Sequence, residues 1–164
     1  MLNSHELFGF MSVELATKIV EDTLGADRET YKATVAAVAQ ARKLRPIFLQ
    51  RQSKAARNRT IVETLARPGM AQAADTILRN WLIKDQTSML KDFLDATGIE
   101  HEDGIVEDLP TEITDEQVTN GVDSILEKHP KEHVLVYLHA FNSMNGCTWK
   151  TLDEMLQAAD RLQF

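Results

Sequence analysis

Between Met70 and Thr97 the apolar residues return at intervals of three and four: Ala74, Ile77, Leu78, Trp81 and Leu82, then Met89, Leu90, Phe93 and Leu94. That interval is the α-helical repeat, and it gathers each group on one side of a helix. Asp85 and Gln86 interrupt the row, and a straight helix over the whole span would be unusually long. The spacing therefore predicts two helices, or one helix bent near Asp85. Trp81 falls on the apolar side and is expected in the core. Only seven Gly and four Pro occur in 164 residues, which favours long regular elements over turn-rich β structure.

The same logic runs along the rest of the chain. Residues 2–10 carry Leu2, Leu7, Phe8 and Phe10 and are expected to pack as a short turn of helix, because large apolar groups are costly to leave in water. Ser12 reads as an N-cap with Glu14 in the first turn, and Gly25 as a stop. Asp27 caps a second helix through about Lys43, with Tyr31, Val35 and Val38 on one face. Pro46 is acceptable only at a helix start. From Pro46 to Ala66 there are two readings. One is a single helix with Ile47, Phe48, Ala55, Val62 and Leu65 on one face; the other has Ser53 capping a fresh helix after a bend. Both bring Arg51 near the apolar side. Pro68-Gly69 marks a turn.

Residues 98–113 hold two glycines, a proline and six acids, and read as an acidic crossover loop tacked down by Ile99, Ile105, Val106 and Leu109. Thr114 and Gln117 form a capping box for a helix that runs to Pro130. Residues 131–141 are apolar on almost every side and predict a buried helix. Val134 and Val136 would suit a strand, but no other strand exists to pair with it. Asn142 to Lys150 reads as a loop. Thr151 and Glu154 make a second capping box, with Leu152, Met155, Leu156, Ala159 and Leu162 facing inward. The expected fold class is all-α: a single irregular bundle of about seven or eight helices in one domain over residues 1–164, with no repeat period.

Charge is distributed unevenly over this helical chain. From Arg42 to Arg67 there are eight basic residues and one acid, Glu63, a local balance of +7 in a chain whose formal net charge is −7. From Asp92 to Asp123 there are eleven acids and no Lys or Arg. Two such blocks can satisfy one another, within a monomer or between subunits. Alternatively, the basic block is a solvated face, or it neutralises phosphates. The residues singled out for anion or partner binding are Arg45, Arg51, Lys54, Arg57 and Arg59. Gln50, Gln52, Asn58 and Thr60 could hydrogen-bond a nucleic acid, yet only Phe48 in the tract is aromatic and no nucleic-acid-binding signature frames it.

Catalytic patterns are weak. A calcium loop centred on Gly104 fails, because Ile99, His101 and Pro110 occupy ligand positions. His133 and His139 stand six apart, on different helix faces. His139 within an apolar helix reads as a satisfied core residue. One cysteine, Cys147, permits neither an internal disulfide nor a cysteine-rich zinc site. A Cys147–His139 nucleophilic pair is the least favoured reading. Trp149 reads as an exposed anchor. No phosphate-binding glycine loop or membrane-length apolar run is present, and residues 1–14 lack the basic and apolar stretches of a secretory leader, so no leader is expected. The expectation is a cytoplasmic, non-catalytic module that uses a basic face for a protein partner or for homo-oligomer formation, with nucleic acid as the alternative ligand. No cofactor, no metal and no membrane is expected.

Overall fold

The computed structural model describes residues 1–146, 149–158 and 162–164. Cys147 and Ala159, to which the sequence reading gave roles, lie outside the described residues. Among the described residues the chain is all-helical, with ten α-helices, one 3-10 turn and no strand. The excess over seven or eight comes from two breaks. One, at Gln52 and Ser53, divides the span Pro46–Ala66; the other, at Gln86, divides Met70–Thr97. The fold separates into two compact units, one of Asn3–Trp81 and one of Leu82–Phe164 with Met1–Leu2.

In the Asn3–Trp81 unit, α1 (Ser4–Phe10), α2 (Val13–Ala26), α3 (Arg28–Ala41), α4 (Pro46–Arg51) and α5 (Lys54–Leu65) precede the 3-10 turn Pro68–Met70 and the start of α6 (Ala71–Asp85). Side-chain oxygens set three of the starts by accepting the backbone N–H groups that a first turn leaves without partners. Ser12 takes the N–H of Leu15, Asp27 those of Glu29 and Thr30, and Ser53 that of Ala56. Helices α2, α3 and α5 pack on one another, with α1 against α5 and α4 against α3. Leu15, Ile19, Val20, Val35, Val38, Ile61, Leu65, Ile77 and Trp81 fill the interior. Ser4 donates to the carboxylate of Asp75 at 3.1 Å and fastens α1 to α6. Phe10, expected inside with Phe8, ends α1 on its solvent side and is 61% exposed.

The Leu82–Phe164 unit holds α7 (Thr87–Thr97), α8 (Asp115–Lys128), α9 (Lys131–Met144) and α10 (Lys150–Gln157). Helices α7 and α8 approach so closely that only glycine fits at position 121. A Cβ there would lie 2.6 Å from Thr97 Cγ2 and 2.9 Å from Phe93 Cε2. The Thr114–Gln117 capping box forms as expected, and the Gln117 amide also donates to the Thr97 carbonyl at 2.8 Å, closing the end of α7. Residues 134–138 are helical, inside α9. That helix runs on through Asn142, where a loop was expected to begin; Asn142 is buried and donates to the Asp153 carboxylate.

Two further readings are corrected here. Helix α10 starts at Lys150 with Trp149 as its N-cap, so Thr151 sits inside the first turn and caps nothing. Its hydroxyl instead donates to the carboxylate of Asp115. Trp149 is no exposed anchor: it is 4% exposed, tilts against Phe141 and donates its indole N–H to the Pro110 carbonyl at 3.0 Å.

Candidate interaction surface

The basic tract begins where α3 stops. Lys43 adopts φ +56°, in the left-handed region. Its N–H donates to the Gln40 carbonyl, and the N–H of Leu44 reaches back to that of Ala39 at 2.8 Å. This is the Schellman arrangement, usually built with glycine at the left-handed position. Gly98 and Ile99 close α7 with the same backward bond, from the Ile99 N–H to the Leu94 carbonyl at 3.0 Å. Lysine at position 43 gives up that steric ease and puts a cation at the turn.

Pro46 then starts α4, where its missing N–H costs nothing. The single-helix reading of Pro46–Ala66 puts Ile47, Phe48 and Ala55 on one face with Arg51 in its middle; the structure takes the other reading, with Ser53 capping a fresh helix. The break at Gln52 and Ser53 ends that phase, because the residues after it belong to a separately aimed helix. Leu49 takes the buried position in α4, while Arg51 and Ala55 lie in solvent. Leu44, Ile47 and Phe48 are 42%, 45% and 56% exposed. Ile47 and Arg51 are four apart within α4, a spacing that sets side chains one above the other on a helix, and Leu44 lies in the turn just before it. The exposed residues of α4 are thus apolar at Ile47 and Phe48, with a cation at either end of the helix, Arg45 and Arg51.

The five singled-out cations fall into two groups. Lys54 is 3.5 Å from Glu21, which also accepts from Asn58 at 3.0 Å. Arg57 lies over the Tyr31 ring, 5.9 Å from its centroid, and donates to the Gln50 carbonyl. These two are tied to their own unit, as is Arg42, which donates to Thr64 at 2.7 Å and pairs with Glu63. Arg45, Arg51 and Arg59 are exposed, with no ion-pair partner among the described residues. Arg59 is two positions from Arg57, about 200° around the α5 axis, so the two point in different directions. Arg45 and Arg51 bracket α4.

The acids divide similarly. Burial pushes the Asp92 carboxyl up, but hydrogen bonds from His129 at 2.8 Å and Lys128 at 3.3 Å outweigh it and hold the group below the usual carboxylate range. His101 joins the Asp95 carboxylate at 2.8 Å and accepts the Gly104 N–H. Lys91 bonds Asp103 at 2.8 Å, which raises the lysine and lowers the aspartate. These ties pin a tight turn in which Glu102 and Ile105 exchange two backbone hydrogen bonds across Asp103 and Gly104, both at positive φ. Beyond the turn the carboxylates of Glu100, Asp108 and Glu112 are exposed and unpaired among the described residues. They rim a cleft of about 410 Å³ walled by Ile99, Leu109, Pro110 and Ile113.

His139 is buried and accepts a hydrogen bond through Nδ1, so it is a core residue with a structural partner. Among the described residues, no three His, Cys, Asp or Glu side chains are grouped to hold a metal, and no helix is long and apolar enough to cross a membrane. The groups brought together thus define an all-helical protein with an exposed apolar and cationic surface. Compared with known proteins, the sequence matches no family model, and neither a curated protein nor a solved structure matches it.

Proposed function

We propose that this chain is a non-catalytic interaction module that docks a protein partner through α4 and the start of α5. One observation carries the reading: Leu44, Ile47 and Phe48 stand in water beside Lys43, Arg45 and Arg51. Scattered exposed apolar residues are ordinary, but three within five positions, rimmed by cations, form a surface of the kind partners bury. Within the singled-out set, Arg45 and Arg51 would meet the partner directly. Lys54 and Arg57 would shape the edge while held by Glu21, Tyr31 and Gln50, and Arg59 would serve a separate face.

A capture experiment tests this. The wild-type chain and a Phe48→Ser/Arg51→Glu variant are immobilised in parallel, with equal thermal unfolding as the check on folding. Species held by the wild type and lost by the variant are expected. Identical capture by both would overturn the reading. Nucleic acid is the competing ligand, since Phe48 between two arginines resembles a stacking platform. Binding of a labelled single strand that falls steeply with added salt, and disappears in the same variant, would replace the protein reading with that one.

A further inference from the structure

Resting on that reading, we propose that the partner is a second copy of this chain, whose acid-rimmed cleft receives Ile47 and Phe48 while Lys43, Arg45 and Arg51 face Glu100, Asp108 and Glu112. The patch and the cleft are complementary in both respects that matter at an interface. The patch presents exposed apolar side chains among neighbouring cations that have no ion-pair partners among the described residues. The cleft presents the apolar wall of Ile99, Leu109, Pro110 and Ile113 inside a ring of carboxylates likewise unpaired. Its volume of about 410 Å³ lies in the range of clefts that take small organic molecules. Matched charges of this kind set register and exclude wrong partners.

The whole-chain charge narrows the choice of occupant. At a formal −7, most of the surface repels a phosphate backbone or an anionic bilayer. A protein surface offering both an apolar floor and carboxylates is the better match, and the chain carries one. Because patch and cleft are different surfaces, the contact is heterologous. After one contact a pair of copies still has one patch and one cleft unused, so assembly continues to a ring or an open chain. Three apolar side chains fall short of the roughly 800 Å² per partner of stable complexes, so the association is weak and grows with protein concentration.

Sedimentation velocity over a concentration series, with three samples, decides this. The wild type is expected to gain mass as concentration rises. Phe48→Ser/Arg51→Glu and Glu100→Lys/Glu112→Lys, each folded by circular dichroism, are each expected to associate about tenfold or more weakly. Mixing the two variants is expected to restore a one-to-one species, because the intact patch of one meets the intact cleft of the other. A wild type that stays monomeric at every concentration overturns the proposal, as does a mixture that fails to associate. If the capture experiment still finds a different protein lost with Phe48→Ser/Arg51→Glu, only the identity of the partner falls. If nothing is lost there either, the docking reading falls with it.

Discussion

The Nδ1 of His139 accepts a hydrogen bond from the backbone N–H of Leu2 at 3.2 Å, joining residues 137 positions apart. The imidazole also stacks on Phe164, with ring centroids 6.0 Å apart. Burial, then the nearby N-terminal ammonium, pushes this histidine down to about 4. In the unfolded chain it would titrate near its ordinary value of about 6.5. Between those values the unfolded chain binds a proton that the folded chain does not. Stability is therefore full above about pH 6.5, declines as pH falls toward about 4, and loses up to ~3 kcal/mol from this group. Urea midpoints measured across that window should fall for the wild type and show a shallower slope for His139→Gln. Equal slopes would mean that other groups carry the dependence.

Gly121→Ala should destabilise by about 1–3 kcal/mol, the usual cost of overpacking. The added methyl meets Thr97 and Phe93, both fully enclosed, so neither can swing aside. Gly25→Ala makes the contrast. Nothing lies within 4 Å of its new Cβ in α2, so helix propensity alone should stabilise by about 0.5–1 kcal/mol. Thermal unfolding of the two variants checks both signs.

Lys43→Gly should raise stability by about 1 kcal/mol, because the left-handed backbone at φ +56° burdens any side chain with a Cβ. The same change should weaken association, since it removes a cation from the docking patch. A variant that is more stable yet binds less well separates the two roles of the residue. Unchanged stability would show that the turn relaxes without strain.

At Gly104 the opposite substitution is expected to harm. A Cβ there would sit 2.8 Å from Leu90 Cβ, at φ +86°. Gly104→Ala should cost about 1–3 kcal/mol and free the turn from α7. Amide hydrogen exchange at Ile105, whose N–H is bonded to the Glu102 carbonyl, should speed up more than exchange within α9.

Much of the helical framework is readable from residues near each helix end. Ser12, Asp27, Ser53 and Thr114 accept N–H groups two or three positions downstream, so their work is visible in a short window of sequence. The break between α6 and α7 is equally local, since two polar residues interrupt the apolar spacing. What escapes such reading depends on distant parts of the chain. Trp149 is buried because the Pro110 carbonyl comes to its indole, and nothing near position 149 announces that. Thr151 and Glu154 have the right spacing for a cap, but the helix starts one residue before Thr151 and the hydroxyl finds Asp115.

The candidate surface was legible as a charge tract and illegible as a surface. Composition marks the cations from Arg42 to Arg67 but cannot sort them. Arg57 is tied down by Tyr31 from α3, and Lys54 by Glu21 from α2. The exposure of Ile47 and Phe48 escapes the single-helix reading, because a wheel drawn through Pro46–Ala66 carries one phase across the break at Gln52 and Ser53. The alternative reading, with Ser53 capping a fresh helix, matches the break, yet Leu49 is recognisable as the buried residue only from the packing of α4 against α3.

Each of the two units carries one buried indole: Trp81 at 1% exposure and Trp149 at 4%. Nature has thereby placed a separate optical probe in each half of the chain. Replacing either with phenylalanine leaves a single emitter, shielded from water in the native state and red-shifted once its surroundings open. Denaturation followed by fluorescence then reads the two halves one at a time, with no label attached.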